Sequence, residues 1–261
     1  MRLSSAAAAA GYRLIAHGTL PSTNAEALVL ARAGEGGPCW ITAVTQTAGR
    51  GRRGNSWVAP AGNLYATLLL TDPAPSEHAP ELSFVAALAI HDAILACAPA
   101  LKAVLKLKWP NDVLCGGKKL VGILIEGEHV RGTLAVAIGI GVNCVSHPST
   151  GAYAATDLAA AGALVSAEEL FDALATAMLH RLAQWRRGDG FAAVRADWLA
   201  RAAEIGIELK VRLPGRELIG RGEGLDERGR LLLRLADGGR EAIAAGDVFP
   251  LTGALLPGRV G

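Results

Sequence analysis

The chain has 261 residues, of which 51% are apolar and 19% charged, with a formal net charge of +2. That length suits one large domain with a small appendage, and the charge is too small for nucleic acid to be the main partner. Basicity is local, in a glycine-rich stretch near residue 50 and around Lys102 to Lys119, as expected of a site for a small anionic ligand.

Met1 to Ala10 carries one positive charge and a short alanine run, and reads as an untargeted, frayed terminus rather than a signal peptide. Arg13–Ala16 begins a strand. Pro21-Ser-Thr-Asn24 opens a helix to about Arg32, with Ser22 or Thr23 as N-cap and Glu26 in the first turn. Trp40–Thr45 is β-rich and leads into the glycine stretch; Leu64–Leu70 is the next strand. A proline-rich turn, Asp72–Pro80, precedes a helix from Leu82 to Ala98. The middle is strand-rich: Val104–Lys108, Val113–Leu114, Leu120–Glu126 and Leu134–Ile140, with Cys115-Gly-Gly117 as a hairpin turn. Helices are expected over Ala167–Arg187 and Phe191–Ala203. From Gly206 the pattern changes to short strands, Ile207–Leu213, Ile219–Gly224, Arg230–Leu235 and Glu241–Phe249, which suggest a small SH3-like barrel.

No apolar run approaches the ~20 residues that cross a bilayer, so no membrane is expected. Cys39, Cys97, Cys115 and Cys144 form no C-x-x-C pair and no metal-ligand spacing with histidine. Reduced, packed thiols in a cytoplasmic protein are the expectation.

The chemistry concentrates in Gly49-Arg-Gly-Arg-Arg-Gly-Asn-Ser-Trp57, within a stretch from Gly36 to Thr71 that holds no acidic residue. Such a loop has almost nothing apolar to bury, and its plausible use is to fold around an anion with guanidinium forks and backbone N–H groups. Gly49, Gly51 and Gly54 spell G-x-G-x-x-G, but a turn and a strand follow where a dinucleotide site needs a helix. A Walker loop fails too, because Asn55 stands at the position of its lysine.

A second cluster follows: Lys108-Trp-Pro-Asn-Asp112, Gly116-Gly-Lys-Lys-Leu-Val-Gly-Ile-Leu-Ile-Glu126 and Gly139-Ile-Gly-Val-Asn143. With both clusters the chain resembles a biotin protein ligase from about Pro21 to about Pro250. The resemblance implies an α+β fold: a class II synthetase-like core with a mixed or antiparallel sheet and helices, spanning 21–204 after a 1–20 tail, then an SH3-like β domain over 205–261. It implies biotin as substrate, ATP and Mg²⁺ as cofactors, and a biotin carboxyl carrier domain as protein partner, and leaves a homodimer open. The stretch before Pro21 leaves no room for the helix-turn-helix module of repressor relatives, so no DNA partner is expected.

Residue roles follow from the same resemblance. Arg50 and Arg52 contact the biotin carboxylate and α-phosphate, with Gly51 permitting close approach and Arg53, on the same closing loop, also binding ATP. Lys119 sits at the carbonyl–phosphate junction, with Lys118 on the opposite face of the strand. Ser22, Thr23, Asn24 and Gln46 bind the ureido head, and Gly122 bares a stretch of strand for the biotin rings. Trp57 offers a face to adenine and Asn143 a polar group to its edge, with Asn111 beside the nucleotide. Asp112 either holds a hydrated Mg²⁺ or helps deprotonate the incoming lysine. Asn55 and Ser56 depart from relatives that carry basic residues there, which leaves fewer cationic donors in the loop. Two other readings compete. A lipoate ligase or octanoyl transferase has a related core, but none of the four cysteines lies in a matching motif. A single-stranded RNA binder would need interleaved aromatics, and the loop has only Trp57.

Overall fold

Capping and periodicity explain the first elements. The computed structural model describes residues 1–149 and 154–251. Helix α1 (Ser5–Ala9) is capped by Ser4 and buries Ala7, and the Met1 amino group lies 3.7 Å from Glu168. The terminus is therefore packed rather than frayed, because alanine is small enough to seat a short helix against its neighbour. Strand β1 (Arg13–Leu20) runs further than expected and leads to α2 (Thr23–Ala33). Ser22 is extended and accepts from Ala25 N at 3.4 Å, so it is the N-cap. Gly34, at φ 97°, ends the helix in the left-handed conformation that glycine adopts without strain.

Then come β2 (Cys39–Gln46), β3 (Leu64–Thr71), α3 (Leu82–Cys97), β4 (Leu105–Lys108), β5 (Asp112–Cys115), β6 (Lys118–Val130) and β7 (Thr133–Val142). The β5–β6 turn places Gly116 and Gly117 at φ 56° and 77°, which is why two glycines stand there. The β6–β7 turn uses Arg131 and Gly132 at φ 51° and 83°. Both strands thus run on to this turn, beyond the ends expected at Glu126 and Leu134. Helix α4 (Ala167–Trp185) starts with a reciprocal capping box between Ser166 and Glu169.

Helix α5 (Phe191–Leu199) stops short of Ala203. The reason is a competing set of hydrogen bonds: Leu107 N donates to Arg201 O, and Ala203 N to Leu107 O, at 2.9 and 2.8 Å. These bonds satisfy the β4 edge, and residues 200–203 leave the helix to make them. The remaining strands are β8 (Glu208–Leu213), β9 (Arg216–Leu225), β10 (Leu231–Leu235), β11 (Arg240–Ile243) and β12 (Asp247–Pro250). The single strand expected over 241–249 is broken at 244–246.

Seven strands form one mixed sheet in the order β1-β2-β3-β7-β6-β5-β4, in which only β1 and β2 pair in parallel. Helix α3 packs across one face with α4 and α5 against it, and α2 covers part of the other. Along β7, Val136, Ile138, Ile140 and Val142 face the α3 core, while Ala135 and Ala137 pack under α2. The same alternation puts Gly139 and Gly141 on the α2 face. A strip of that face carries almost no side chain, and the site lies over it.

The other five strands form an antiparallel sheet, β11-β10-β9-β8-β12, of the SH3-like kind. Its inward residues, Leu209, Val211, Leu225, Leu231 and Leu233, belong to the same buried cluster as α3. Trp109 Nε1 donates to Gly229 O at 3.0 Å across the junction, so the small sheet is fastened to the strand that leads into β5. The helix α3 region is apolar enough to cross a membrane by length and composition, but it is 72% buried as core.

Candidate active site

The glycine loop is ordered by backbone hydrogen bonds rather than by a core. Trp57 N donates to Gly49 O and Gly51 N to Asn55 O, at 2.9 and 2.7 Å, and residues 52–54 make a single 3₁₀ turn. The loop stands over the glycine strip, and together they enclose a cavity of about 660 Å³. Five basic side chains line it, Arg50, Arg52, Lys108, Lys119 and Arg212, against the two carboxylates Asp112 and Asp247. The balance is cationic, as a phosphate-bearing ligand requires.

Of the residues singled out in the sequence, Ser22, Thr23, Asn24, Gln46, Arg50, Gly51, Arg52, Trp57, Asn111, Asp112, Lys119, Gly122 and Asn143 all reach the cavity. Arg53 does not. At φ 55° its backbone turns the side chain outward, and its guanidinium meets Asp247 of β12 at 2.8 Å.

At one end of the cavity a polar cluster is already knit together. Gln46 Oε1 accepts from Thr23 N at 2.8 Å. Thr67 Oγ1 lies 2.8 Å from Thr23 Oγ1 and 2.7 Å from Asn24 Oδ1. Asn24 Nδ2 donates to Leu124 O and to Glu126 Oε2, at 3.2 and 2.9 Å. A Cβ at Gly139 would collide with the Asn24 amide, so glycine there is what lets Asn24 lie on the sheet. Glu126 also accepts from Arg50 Nη2 at 2.8 Å, which ties the loop to α2 through one carboxylate. Arg50 must leave Glu126 or share it to meet a ligand anion.

Trp57 occupies the middle. A Cβ on Gly122 would come within 2.6 Å of its indole, and one on Gly141 within 2.8 Å. These two glycines are cross-strand partners in β6 and β7. The bare strand at Gly122 is thus covered by Trp57, and a ring bound there must stack on the indole or displace it.

At the far end Lys119 Nζ lies 2.7 Å from Asp112 Oδ1 and 5.5 Å from the centre of the Trp57 ring. Lys118 is exposed, on the other face. Asp112 Oδ2 is 3.7 Å from Lys108 Nζ, and both residues are buried. Arg52 Nη1 donates to Asn111 Oδ1 at 3.1 Å, and Asn111 Nδ2 to Ile123 O at 2.6 Å. Burial lowers the Arg52 pKa, helped by Arg53 and opposed by Asp112 and Asp247, yet a guanidinium stays charged. Asn143 Nδ2 is taken by Thr156 O at 3.0 Å, so its side chain holds the wall in place.

The chain that builds this cavity is similar to known proteins in sequence and in fold. A model of the biotin/lipoate A/B protein ligase family matches residues 21–143, and one of the biotin protein ligase C-terminal domain matches 205–249. A biotin–[acetyl-CoA-carboxylase] ligase of Paracoccus denitrificans is 47% identical, covering 87% of this chain and 96% of that protein. The chain belongs to the biotin protein ligase family. Another member, from Mycobacterium tuberculosis, is 36% identical over 88% of this chain and 86% of its own. Among solved structures, the biotin protein ligase of Aquifex aeolicus in complex with biotin and ATP superposes with a TM-score of 0.75. It is 26% identical and covers 91% of this chain and 97% of its own.

Several residues at this cavity have no role that the sequence alone suggests: Lys108, Gly139, Gly141, Arg212 and Phe249 in its lining, and Glu126 behind Asn24 and Arg50. A signal for the two glycines was present, in the alternation of small residues Ala135, Ala137, Gly139 and Gly141 with Ile138 and Ile140. Arg212 and Phe249, which stack at 4.8 Å, come from the small sheet. Nothing local in sequence says that this sheet reaches the cavity.

Proposed function

We propose that the cavity under the glycine loop is where this ligase forms biotinyl-adenylate and presents it to an acceptor lysine. The enzyme is an ATP-dependent biotin ligase. In the first step a biotin carboxylate oxygen attacks the α-phosphorus of ATP and pyrophosphate leaves. In the second a lysine amine attacks the acyl carbon, AMP leaves, and the amine gives up its proton.

Both carboxylate and triphosphate are anions, so the first step needs fixed positive charge where they meet. The observation that carries the reading is the convergence of Arg50, Arg52 and Lys119 on one cavity, with the polar cluster at one end and Lys119 at the other. In this reading Thr23, Asn24 and Gln46, with Ser22 beside them, receive the ureido head. Arg50 and Arg52, with the backbone of Gly51, receive carboxylate and α-phosphate. Trp57 offers its face to a ring, and Lys119 stabilises the charge that develops at the acyl–phosphate junction. Arg53 anchors the loop from outside.

Magnesium enters as part of the MgATP substrate. Two ammonium groups already balance the charge of Asp112, and no group of three His, Cys, Asp or Glu is placed to hold a metal among the described residues. This disfavours a metal at Asp112 and supports a role in orienting Lys119. We assign the catalytic domain to 21–204 and the small domain to 205–261, in keeping with the two family matches. The acceptor is a carboxylase biotin carrier, and more narrowly we propose a lysine of a biotin carboxyl carrier domain. A cytoplasmic site agrees with Cys39, Cys97, Cys115 and Cys144 all being unpaired thiols.

Pyrophosphate release with biotin, lipoate or octanoate as the only acid tests the substrate. Release with biotin alone is expected; release with lipoate and not biotin overturns the proposal.

A further inference from the structure

Glu204 is the most deeply buried carboxylate outside the cavity lining, 1% exposed, in the segment between α5 and β8 where the two sheets meet. Its Oε2 accepts from Trp109 N at 2.8 Å. Its Oε1 has no hydrogen-bond partner. A buried carboxylate oxygen without a donor is costly unless a nearby charge compensates it. That charge is Lys108, 5% exposed, whose electrostatic pull on Glu204 opposes the effect of burial. The other side of Lys108 faces Asp112 Oδ2 at 3.7 Å, and Asp112 Oδ1 meets Lys119 at 2.7 Å. Four charges of alternating sign therefore run from the domain junction to the cavity: Glu204, Lys108, Asp112 and Lys119.

We infer that Glu204 is a positioning residue for the ligase reaction, acting through Lys108 and Asp112 to hold the Lys119 ammonium at the reacting end of the cavity. This rests on the role given to Lys119 above. With Glu204 ionised, Lys108 is shared between two carboxylates. Without that charge Lys108 turns wholly onto Asp112, and Asp112 loosens its hold on Lys119. The chain also links the small domain to the chemistry. The backbone oxygen of Glu204 lies so close to Gly222 of β9 that a Cβ there would overlap it, so the seat of the small sheet fixes the first charge of the series. Burial pushes the Glu204 carboxyl up to about 7, against the pull of Lys108 and the Trp109 N–H and with a push from Asp112. The device is thus engaged on the alkaline side of neutrality.

The test is Glu204→Gln, which keeps the size and can still accept from Trp109 N while removing the charge. At pH 8, kcat for biotin-dependent pyrophosphate release is expected to fall about ten- to a hundredfold, with the biotin KM within twofold of the parent, as a displaced catalytic group would give. In a Lys108→Met background the same change is expected to cost less than about twofold, because the two act in series. Glu204→Asp, which retains the charge, is expected to recover part of kcat. Normal turnover in Glu204→Gln, an equal loss in both backgrounds, or no recovery with Asp overturns the inference. Should Glu204→Gln fail to fold, Lys108→Met alone decides, and unchanged kcat in it is equally fatal. If Lys119→Ala itself turns over normally, it is the underlying site assignment that fails, whatever Glu204 does.

Discussion

Lys119 and Asp112 form an ion pair of 2.7 Å across adjacent strands, at the end of the cavity away from the Thr23–Asn24–Gln46 cluster. The pair holds a flexible side chain in one place before substrate arrives, which is the positional advantage that a fixed ammonium has over a solvated one. Asp112→Asn removes the charge and keeps the shape. The expected result is a kcat at least about tenfold lower with little change in biotin KM, since the loss falls on orientation in the transition state. Steady-state kinetics with biotin varied separates the two parameters, and a rise in KM at constant kcat would count against this role.

Gly122 and Gly141 lie under the Trp57 indole with no room for a methyl group: an added Cβ would stand 2.6 and 2.8 Å from ring atoms. Gly122→Ala should therefore lift the indole off the strand and weaken ligand binding by about 1–3 kcal/mol, the usual cost of overpacking a fitted contact. The change in tryptophan emission on adding biotin and ATP should shrink in Gly122→Ala as it does in Trp57→Phe. An unaltered signal would mean that Trp57 does not report on the site.

Arg53 and Asp247 join the loop to the small sheet at 2.8 Å, with 37% and 50% of their side chains exposed. Exposed pairs contribute only about 0–1 kcal/mol. Arg53→Ala should leave the thermal midpoint within a few degrees while the loop becomes easier to cleave. Limited proteolysis of the apo enzyme, with fragments read by mass, checks this; a loop equally resistant in the variant argues that the pair does not anchor it.

Glu204 makes stability depend on pH with a definite sign. Its folded pKa, about 7, lies above the ordinary 4.5, so the folded state binds the proton more tightly than the unfolded chain. Stability from this group is complete below pH 4.5 and is lost as pH rises to 7. That shift corresponds to about 3 kcal/mol. Urea unfolding of the parent and Glu204→Gln should diverge across that window and run parallel above it. A constant difference throughout would show that Glu204 does not titrate there.

Much of this was legible from sequence, because the informative segments are those where local chemistry and tertiary role agree. The glycine loop pointed to an anionic ligand, since it has no apolar residue to bury before Trp57. Strands β3 and β7 and helix α3 follow their hydrophobic patterns. What escaped was set by contacts distant in sequence. Helix α5 ends early because the β4 edge takes the backbone of residues 200–203. Arg53 turns away from the cavity because its φ is positive and Asp247 waits on the far side. Glu204 carries no signal of its own in the sequence, and only the fold buries it against the Trp109 N–H.

Lys119→Ala is the most direct test of the site. Rapid-quench measurement of biotinyl-adenylate formation at saturating biotin and MgATP should show the first step slowed by a barrier increase on the order of 2–4 kcal/mol, the scale of a lost charge-stabilising donor. Adenylate formed at the parent rate by the variant would contradict the placement of the reacting carboxylate and α-phosphate beside this lysine.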